Sequence, residues 1–440
     1  MDSSLHHHSR IKGRLRVSSN RRFLVHEDGS PFFWLGDTAW ELFHRLSKSD
    51  VRYYLKNRAD KGFNVVQAVA LAELDGLQTP NAEGEIPLHN LDPRTPNEKY
   101  FVHIDWVIQE AASLGIYIAL LPTWGDKVQK EYEWAAGPEV FDINNAYYYG
   151  YYLGRRYQHT DNLIWILGGD RTWDINGVAI WRSMAAGIIS GSGGKDKTLM
   201  SLHTTPMNGG SSSQWFHHDE WLDFNLLQTG HDKHKATYDL IAADYNRFPT
   251  KPVIDGEPTY EAHALSFKID NGYSTAHEVR KFAYWSLFAG SFGHTYGCHS
   301  VWQFYTKERI GINAPIYEWK DALDLEGAQQ MIHLKKLLCS RNILERIPDH
   351  TLIERIRESP ERYCAATRCK NGTYAWVYTP YGDGIDLRTA ALSGDELVYR
   401  WFNPRDGSYT IPIVIERKTI LHFRPPQTGI DWILVVDSQQ

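Results

Sequence analysis

Lys251–Glu261, KPVIDGEPTYE, reads as a short apolar strand, Pro252–Ile254, that runs into Asp255, Gly256 and Glu257, with a further carboxylate at Glu261. A strand that ends in an acid, beside a glycine that leaves the backbone uncrowded, is how a parallel barrel presents a carboxylate at its open end. Asn162–Arg171, NLIWILGGDR, has the same form: an apolar strand closing on Gly168, Gly169 and Asp170. Either acid alone is explained by a helix cap or a loop ion pair. Two of them, on strands separated by whole strand–helix units, suggest an acid/base pair.

Outward from these two strands the pattern repeats. Phe32–Leu35 ends at Gly36-Asp37, Phe63–Leu71 carries Gln67, Ile116–Leu121 exits through Trp124, and Thr198–His203 ends in His203. Phe224–Gln228 ends in Gln228 and leads to His231, and Ser291–Phe304 holds an eighth strand with Tyr296, His299 and Trp302 at its exit. Between them lie helical stretches, among them Tyr100–Leu114, Phe141–Gln158, Trp181–Ser190, Lys235–Arg247 and Glu278–Ala289. In Phe141–Gln158 the run YYYGYYLGRRY predicts aromatics packed inward. Ala72–Asn97 is too long for an idle connection and reads as a functional loop. Strand and helix alternate about eight times over roughly 320 residues, which fits an α/β fold of the (β/α)8 TIM-barrel type.

After Arg341 the texture changes. Tyr374–Tyr378, Val398–Phe402, Tyr409–Ile415 and Trp432–Val436 read as short strands with turn residues between them, a small all-β sandwich. The division expected is a poorly ordered segment over 1–21, a catalytic barrel over 22–340 and a β-sandwich over 341–440.

Composition narrows the function. Lys plus Arg number 47 against 53 Asp plus Glu, a net charge of −6, with no basic footprint for nucleic acid or a membrane surface. No apolar run is long enough to span a bilayer, and no signal peptide is visible, so the compartment stays open. The oligomeric state is equally open. The four cysteines lack metal-type spacing; Cys364 and Cys369 could bridge a hairpin, but free buried thiols are expected. The 16 Trp and 25 Tyr suit a ligand whose C–H faces stack on rings while its hydroxyls seek carboxylates and amides: a sugar.

The polar residues at the strand exits, Asp37, Gln67, Trp124, Asp170, His203, Gln228, His231, Glu257, Glu261, Tyr296 and His299, all lie where a barrel keeps its active site. Each singly has a structural explanation; together they are hard to explain as structure alone. The runs LGDTAW (with Asp37 and Trp40), ILGGDR, QTGH, DGEPTYE and GHTYGCHSVWQF resemble those of the apiosidase-like glycoside hydrolases. The tail resembles the small β domain that follows the barrel in that family and carries a collagen-binding label.

This resemblance implies a retaining mechanism on plant cell-wall, pectic oligosaccharides, with Asp170 as acid/base and Glu257 as nucleophile, and with no cofactor or metal. Asp170 is one methylene shorter than the glutamate usual in barrel glycosidases, so backbone or sugar must sit closer. A neighbouring ionised Glu257 and partial burial are expected to keep it protonated. Gln67, His203, Gln228 and His231 would hold hydroxyls. Trp124, Tyr296 and Trp302 would face sugar rings, and Asp37, Trp40, Glu261 and His299 complete the substrate-binding set. Two rivals stand beside it: a metal-dependent hydrolase built on His203, His231, His234 and His299, which lacks the usual spacing, and a non-catalytic sugar-binding barrel.

Overall fold

The computed structural model describes residues 11–130, 137–207, 210–354 and 359–439. Eight strands form its centre: β1 Trp34–Thr38, β2 Val65–Val69, β3 Tyr117–Leu121, β4 Leu163–Gly168, β5 Met200–His203, β6 Asn225–Gln228, β7 Val253–Glu257 and β8 Gly293–Tyr296. Apart from Leu163 every residue in them is buried. Strands covered on both faces must read as continuous apolar runs, which is how they are visible in the sequence.

All pairings are parallel. One six-stranded sheet has the order β8-β1-β2-β3-β4-β5, and β6 pairs with β7. Backbone bonds also cross the two seams. Asp223 N–H donates to Met200 O at 2.8 Å, and Phe292 N–H donates to Val253 O at 3.0 Å. The sheet is curled. Tyr117, Ala119 and Leu121 join Val65, Val69, Ile164, Ile166, Phe224, Leu226 and Ile254 in an inner cluster, while Ile118 and Leu120 pack outward with the helices. The alternation along each strand thus separates an inner core from an outer one.

The N-terminal segment corrects one expectation. Residues 1–10 lie outside the described residues, but Arg16–Val17 pairs with Leu24–Val25, which pairs with Pro31–Phe32. Leu15, Phe23, Leu24 and Phe32 enter the inner cluster, and Tyr117 Oη donates to Gly13 O at 2.7 Å. Residues 11–20 therefore plug the end of the curl opposite the strand exits, because Leu15 is apolar enough to leave water.

The tyrosine-rich helix meets its expectation only in part. In Ile143–Arg156, Tyr147, Tyr148 and Tyr151 are exposed. Part of its inward face is Gly150 and Gly154, laid on Gly187 and Gly191 of helix Ile175–Ser192. A Cβ at any of the four would sit 2.2–2.3 Å from a facing carbonyl oxygen. Close backbone approach leaves no room for rings along that stripe, so Tyr147, Tyr148 and Tyr151 stay outside, while Tyr149 and Tyr157 pack inward into the core as expected.

The tail is all β. Six antiparallel strands run in the order Arg346–Pro348, Ala365–Cys369, Tyr374–Thr379, Trp432–Ser438, Glu396–Phe402, Ile413–Glu416, with Ile385–Arg388 and Ile420–Phe423 as a second, two-stranded sheet. The expected strand Tyr409–Ile415 is displaced: Tyr409 makes only one bridge, to Phe402, and the strand begins at Ile413. One face of the larger sheet shares a core with the smaller one, through Leu397, Trp401 and Leu434 against Ile385, Leu387 and Phe423. The other face, with Trp376 and Tyr378, packs on helix Ala276–Phe288 of the first unit, and Tyr284 stacks on Tyr378 at 4.9 Å. None of the four cysteines forms a disulfide. Among the described residues no helix is long and apolar enough to cross a membrane.

A buried fork ties the two units together. Arg280 donates from Nε and Nη2 to the two oxygens of Asp431, at 2.8 and 2.9 Å, and Asp431 is fully buried. Asp431→Ala leaves this guanidinium desolvated without its partner, so a loss of about 3–5 kcal/mol is expected. Chemical denaturation checks this; an unchanged midpoint would show that the fork contributes nothing to stability.

Candidate active site

Asp170 owes its position to the two glycines before it. Gly168 and Gly169 have φ of +87° and +133°, which side chains rarely adopt, and Asp170 itself sits at +30°. A Cβ on Gly168 would lie 2.0 Å from His203 O, and one on Gly169 would lie 2.8 Å from Gly125 N and the Trp124 ring. Only glycine lets the end of β4 turn this tightly between β3 and β5. The Asp170 side chain stays 27% exposed, with Arg171 Nη1 3.8 Å from Oδ2.

Glu257 is aimed by a bulge. In a regular strand Asp255 and Glu257 would share a face. Here the register with β6 shifts between them, so that Glu257 lies opposite Gln228. Asp255 turns outward and accepts from Thr229 Oγ1 at 2.8 Å and Ser286 Oγ at 3.4 Å. Glu257 turns inward to His203. The intervening Gly256 has no room for a Cβ, which would meet Leu226 at 2.7 Å.

One imidazole joins the two stretches. His203 Nδ1 accepts the Asp170 N–H at 3.3 Å, so the ring proton resides on Nε2, which donates to Glu257 Oε2 at 2.8 Å. His231 is set likewise: Nδ1 accepts from Tyr260 N–H at 3.3 Å, and Nε2 lies 3.7 Å from Glu257 Oε1. Burial, with His263 and His299 nearby, holds its pKa well below the usual imidazole range. Tyr260 completes the surround, hydrogen-bonded to Glu257 and accepting from Trp40 Nε1 at 3.1 Å. The Trp40, Trp124 and His203 rings box one side, with centroids 5.2–5.6 Å apart. Trp302 packs in the same inner cluster.

The electrostatics differ for the two acids. Desolvation and then the charge of Glu257 push Asp170 up to about 7, against Arg171, His203 and a hydrogen bond from Gln228. The cleft thus favours a protonated Asp170 beside a Glu257 whose carboxylate faces imidazole and phenol donors.

The structure sorts the expected site residues. Asp170, Glu257, His203, Gln228, His231, Trp40 and Trp124 come together. His203 is fully buried, so it positions Glu257 and reaches no sugar hydroxyl. Gln67 is also fully buried and spends its amide on Gly256 O at 2.8 Å, holding the bulge.

Four others serve the scaffold. Asp37 is a buried acceptor for Arg58 Nε and Tyr54 Oη, both at 2.6 Å. Glu261 accepts from Tyr296 Oη at 2.6 Å and from Gly327 N–H at 2.9 Å, in the first turn of helix Glu326–Cys339. Tyr296 is thereby used as well. His299 bonds the carbonyls of Ile312 and Asn313 at 2.9 and 3.0 Å. His234 stands apart at the surface, 2.5 Å from Glu361.

Three residues that sequence reasoning missed sit at the site: Tyr260, Arg171 and Glu73. Glu73 lies 3.6 Å from Arg171 Nη2. Burial, and then the charge of Asp170, push it up to about 8. It is the first acid beyond β2, so the strand-exit rule that found Asp170 was available for it.

A family model described as "Apiosidase-like, catalytic domain" matches residues 18–345, and one described as "Putative collagen-binding domain of a collagenase" matches residues 347–437. Among solved structures, one named glycoside hydrolase is 30% identical with a TM-score of 0.88, and the match covers 97% of each chain. A glycoside hydrolase family 5 protein from Bacteroides vulgatus ATCC 8482 is 32% identical with a TM-score of 0.89, covering 98% of this chain and 95% of that one. A family 5 mannosidase from Rhizomucor miehei, at 12% identity and a TM-score of 0.54, covers 76% of this chain and 99% of its own, a likeness of fold alone. No curated protein matches the chain.

Proposed function

The chain belongs to the apiosidase-like family, and from that premise we propose that it is a retaining glycosidase of pectic, plant cell-wall oligosaccharides. The family and its two near-full-length structural relatives make it a glycoside hydrolase with a carbohydrate substrate. The proposal adds the mechanism, the substrate and the frame: the curl closes as a (β/α)8 barrel over residues 22–340, and residues 341–440 buttress it.

The observation that carries the mechanism is the single imidazole that contacts both Asp170 and Glu257. It ties the Asp170 backbone N–H to the Glu257 carboxylate, and the charge of Glu257 beside Asp170 favours a proton on Asp170, which supports the division of labour between acid/base and nucleophile. Glu257 attacks the anomeric carbon while Asp170 gives its proton to the departing oxygen. The glycosyl ester neutralises Glu257, so the like charge that raised Asp170 is gone. Asp170 then ionises more readily and takes a proton from the water that releases the sugar.

This cycle has a pH signature. The proton on Asp170 is lost as pH rises through about 7. On a substrate with a poor leaving group, kcat/KM should therefore fall along an alkaline limb near that pH. On an activated aryl glycoside the limb should shrink. Matching limbs on both substrates would remove Asp170 as the acid. A screen of purified pectic fragments, with the anomer of the first product read by NMR, tests substrate and stereochemistry together. Hydrolysis of no pectic fragment would overturn the substrate class.

A further inference from the structure

The loop after β7 presents an aromatic ring with one face open. Phe267 is 57% exposed, and it stands at φ +60°, directly after Ser266 at +53°. Such backbone suits glycine or asparagine and is costly for a bulky side chain. A ring more than half exposed on strained backbone gains little for the fold, and strain of this kind gathers at ligand-binding sites.

The strain is locked in from both sides. Ser266 N–H donates to His231 O at 2.8 Å, Leu265 N–H to Gly272 O at 3.0 Å, and Phe267 N–H to Ala264 O at 3.0 Å. The ring is set edge-on against His263, centroid to centroid 4.9 Å at 89°, and against His231, 5.5 Å at 66°. His231 and His263 are themselves stacked at 4.0 Å, and His231 lies 3.7 Å from Glu257. A continuous run of rings thus leads from the nucleophile to Phe267 and ends on an open aromatic face.

We infer that Phe267 is a sugar platform, stacking the C–H face of a saccharide unit that lies beyond the ring attacked by Glu257. The inference rests on the glycosidase reading and adds to it a residue that selects oligosaccharides over simple glycosides. Sugar rings present flat C–H faces that aromatic rings desolvate, and a ring already held by its neighbours loses little entropy on binding.

The test separates the platform from that reading by measuring binding without turnover. Glu257→Gln is the parent, and single purified oligosaccharides from pectin side chains are titrated calorimetrically. Adding Phe267→Ala should weaken binding about tenfold, and Phe267→Trp should restore it. In the otherwise native chain Phe267→Ala should leave kcat/KM on an aryl monosaccharide glycoside within about twofold, because that substrate ends before the platform. Phe267→Gly relieves the backbone and removes an exposed ring, so its Tm should rise by about one or two degrees while oligosaccharide affinity falls. Equal affinity of parent and Phe267→Ala would overturn the platform and leave the glycosidase reading standing. A lower Tm for Phe267→Gly would give the ring a packing role instead. Absence of any saccharide binding in the parent would end both.

Discussion

Replacing Glu257 by Gln should abolish turnover on every glycoside, by roughly 10^4-fold or more, which is what removing a nucleophile costs. The change is nearly isosteric. The amide oxygen can still accept from His203 Nε2–H, now 2.8 Å from the carboxylate, so the imidazole keeps its tautomer and its bond to the Asp170 backbone. Folding and sugar binding should therefore survive, and Tm and calorimetric affinity are the controls. Glu257→Ala is the harsher variant, because it leaves the donors of His203 and Tyr260 unmatched. Wild-type rates in Glu257→Gln would remove the mechanism altogether.

Asp170→Asn should split substrates by leaving group. For poor leaving groups the loss should be about 10^2–10^4-fold, the usual worth of a positioned general acid. An activated aryl glycoside needs little protonation, so its first step should be spared. The second step still needs a base, and a covalent glycosyl–enzyme should accumulate and appear as a burst of released phenol. Azide, which needs no base, should rescue that second step in Asp170→Ala and yield a glycosyl azide of retained configuration. In a substrate complex the two carboxyl groups should lie about 5–5.5 Å apart. A separation near 9 Å, or a first product of inverted configuration, would point to inversion.

The two positions differ in how far the sequence carries them. Asp170 and Glu257 are legible because each closes an apolar run and sits against glycine, and the structure shows why those glycines are needed: a Cβ at Gly168 or Gly256 has nowhere to go. The parallel strands are legible for a similar reason, since burial on both faces leaves only apolar residues. The tail is less so. Ala365–Cys369, Ile385–Arg388 and Ile420–Phe423 are short, half-polar strands, and the last two pair with each other far along the chain, so no local run marks them.

What the sequence by itself determined was the layering of strand and helix, the acids at two strand exits and the family motifs that contain them. What only the tertiary structure decided was the job of each remaining polar residue at the rim. Asp37, Glu261 and His299 stand at strand exits as properly as Asp170 does, yet Arg58, the first turn of a helix and two loop carbonyls consume them. His203 and Gln67 end beneath the cleft as supports for Glu257 and its bulge. The physical reason is that a side chain's use depends on which donors and acceptors surround it once water is gone. Those partners come from elements tens to hundreds of residues away, through pleat, bulge and curl, and no local pattern records them.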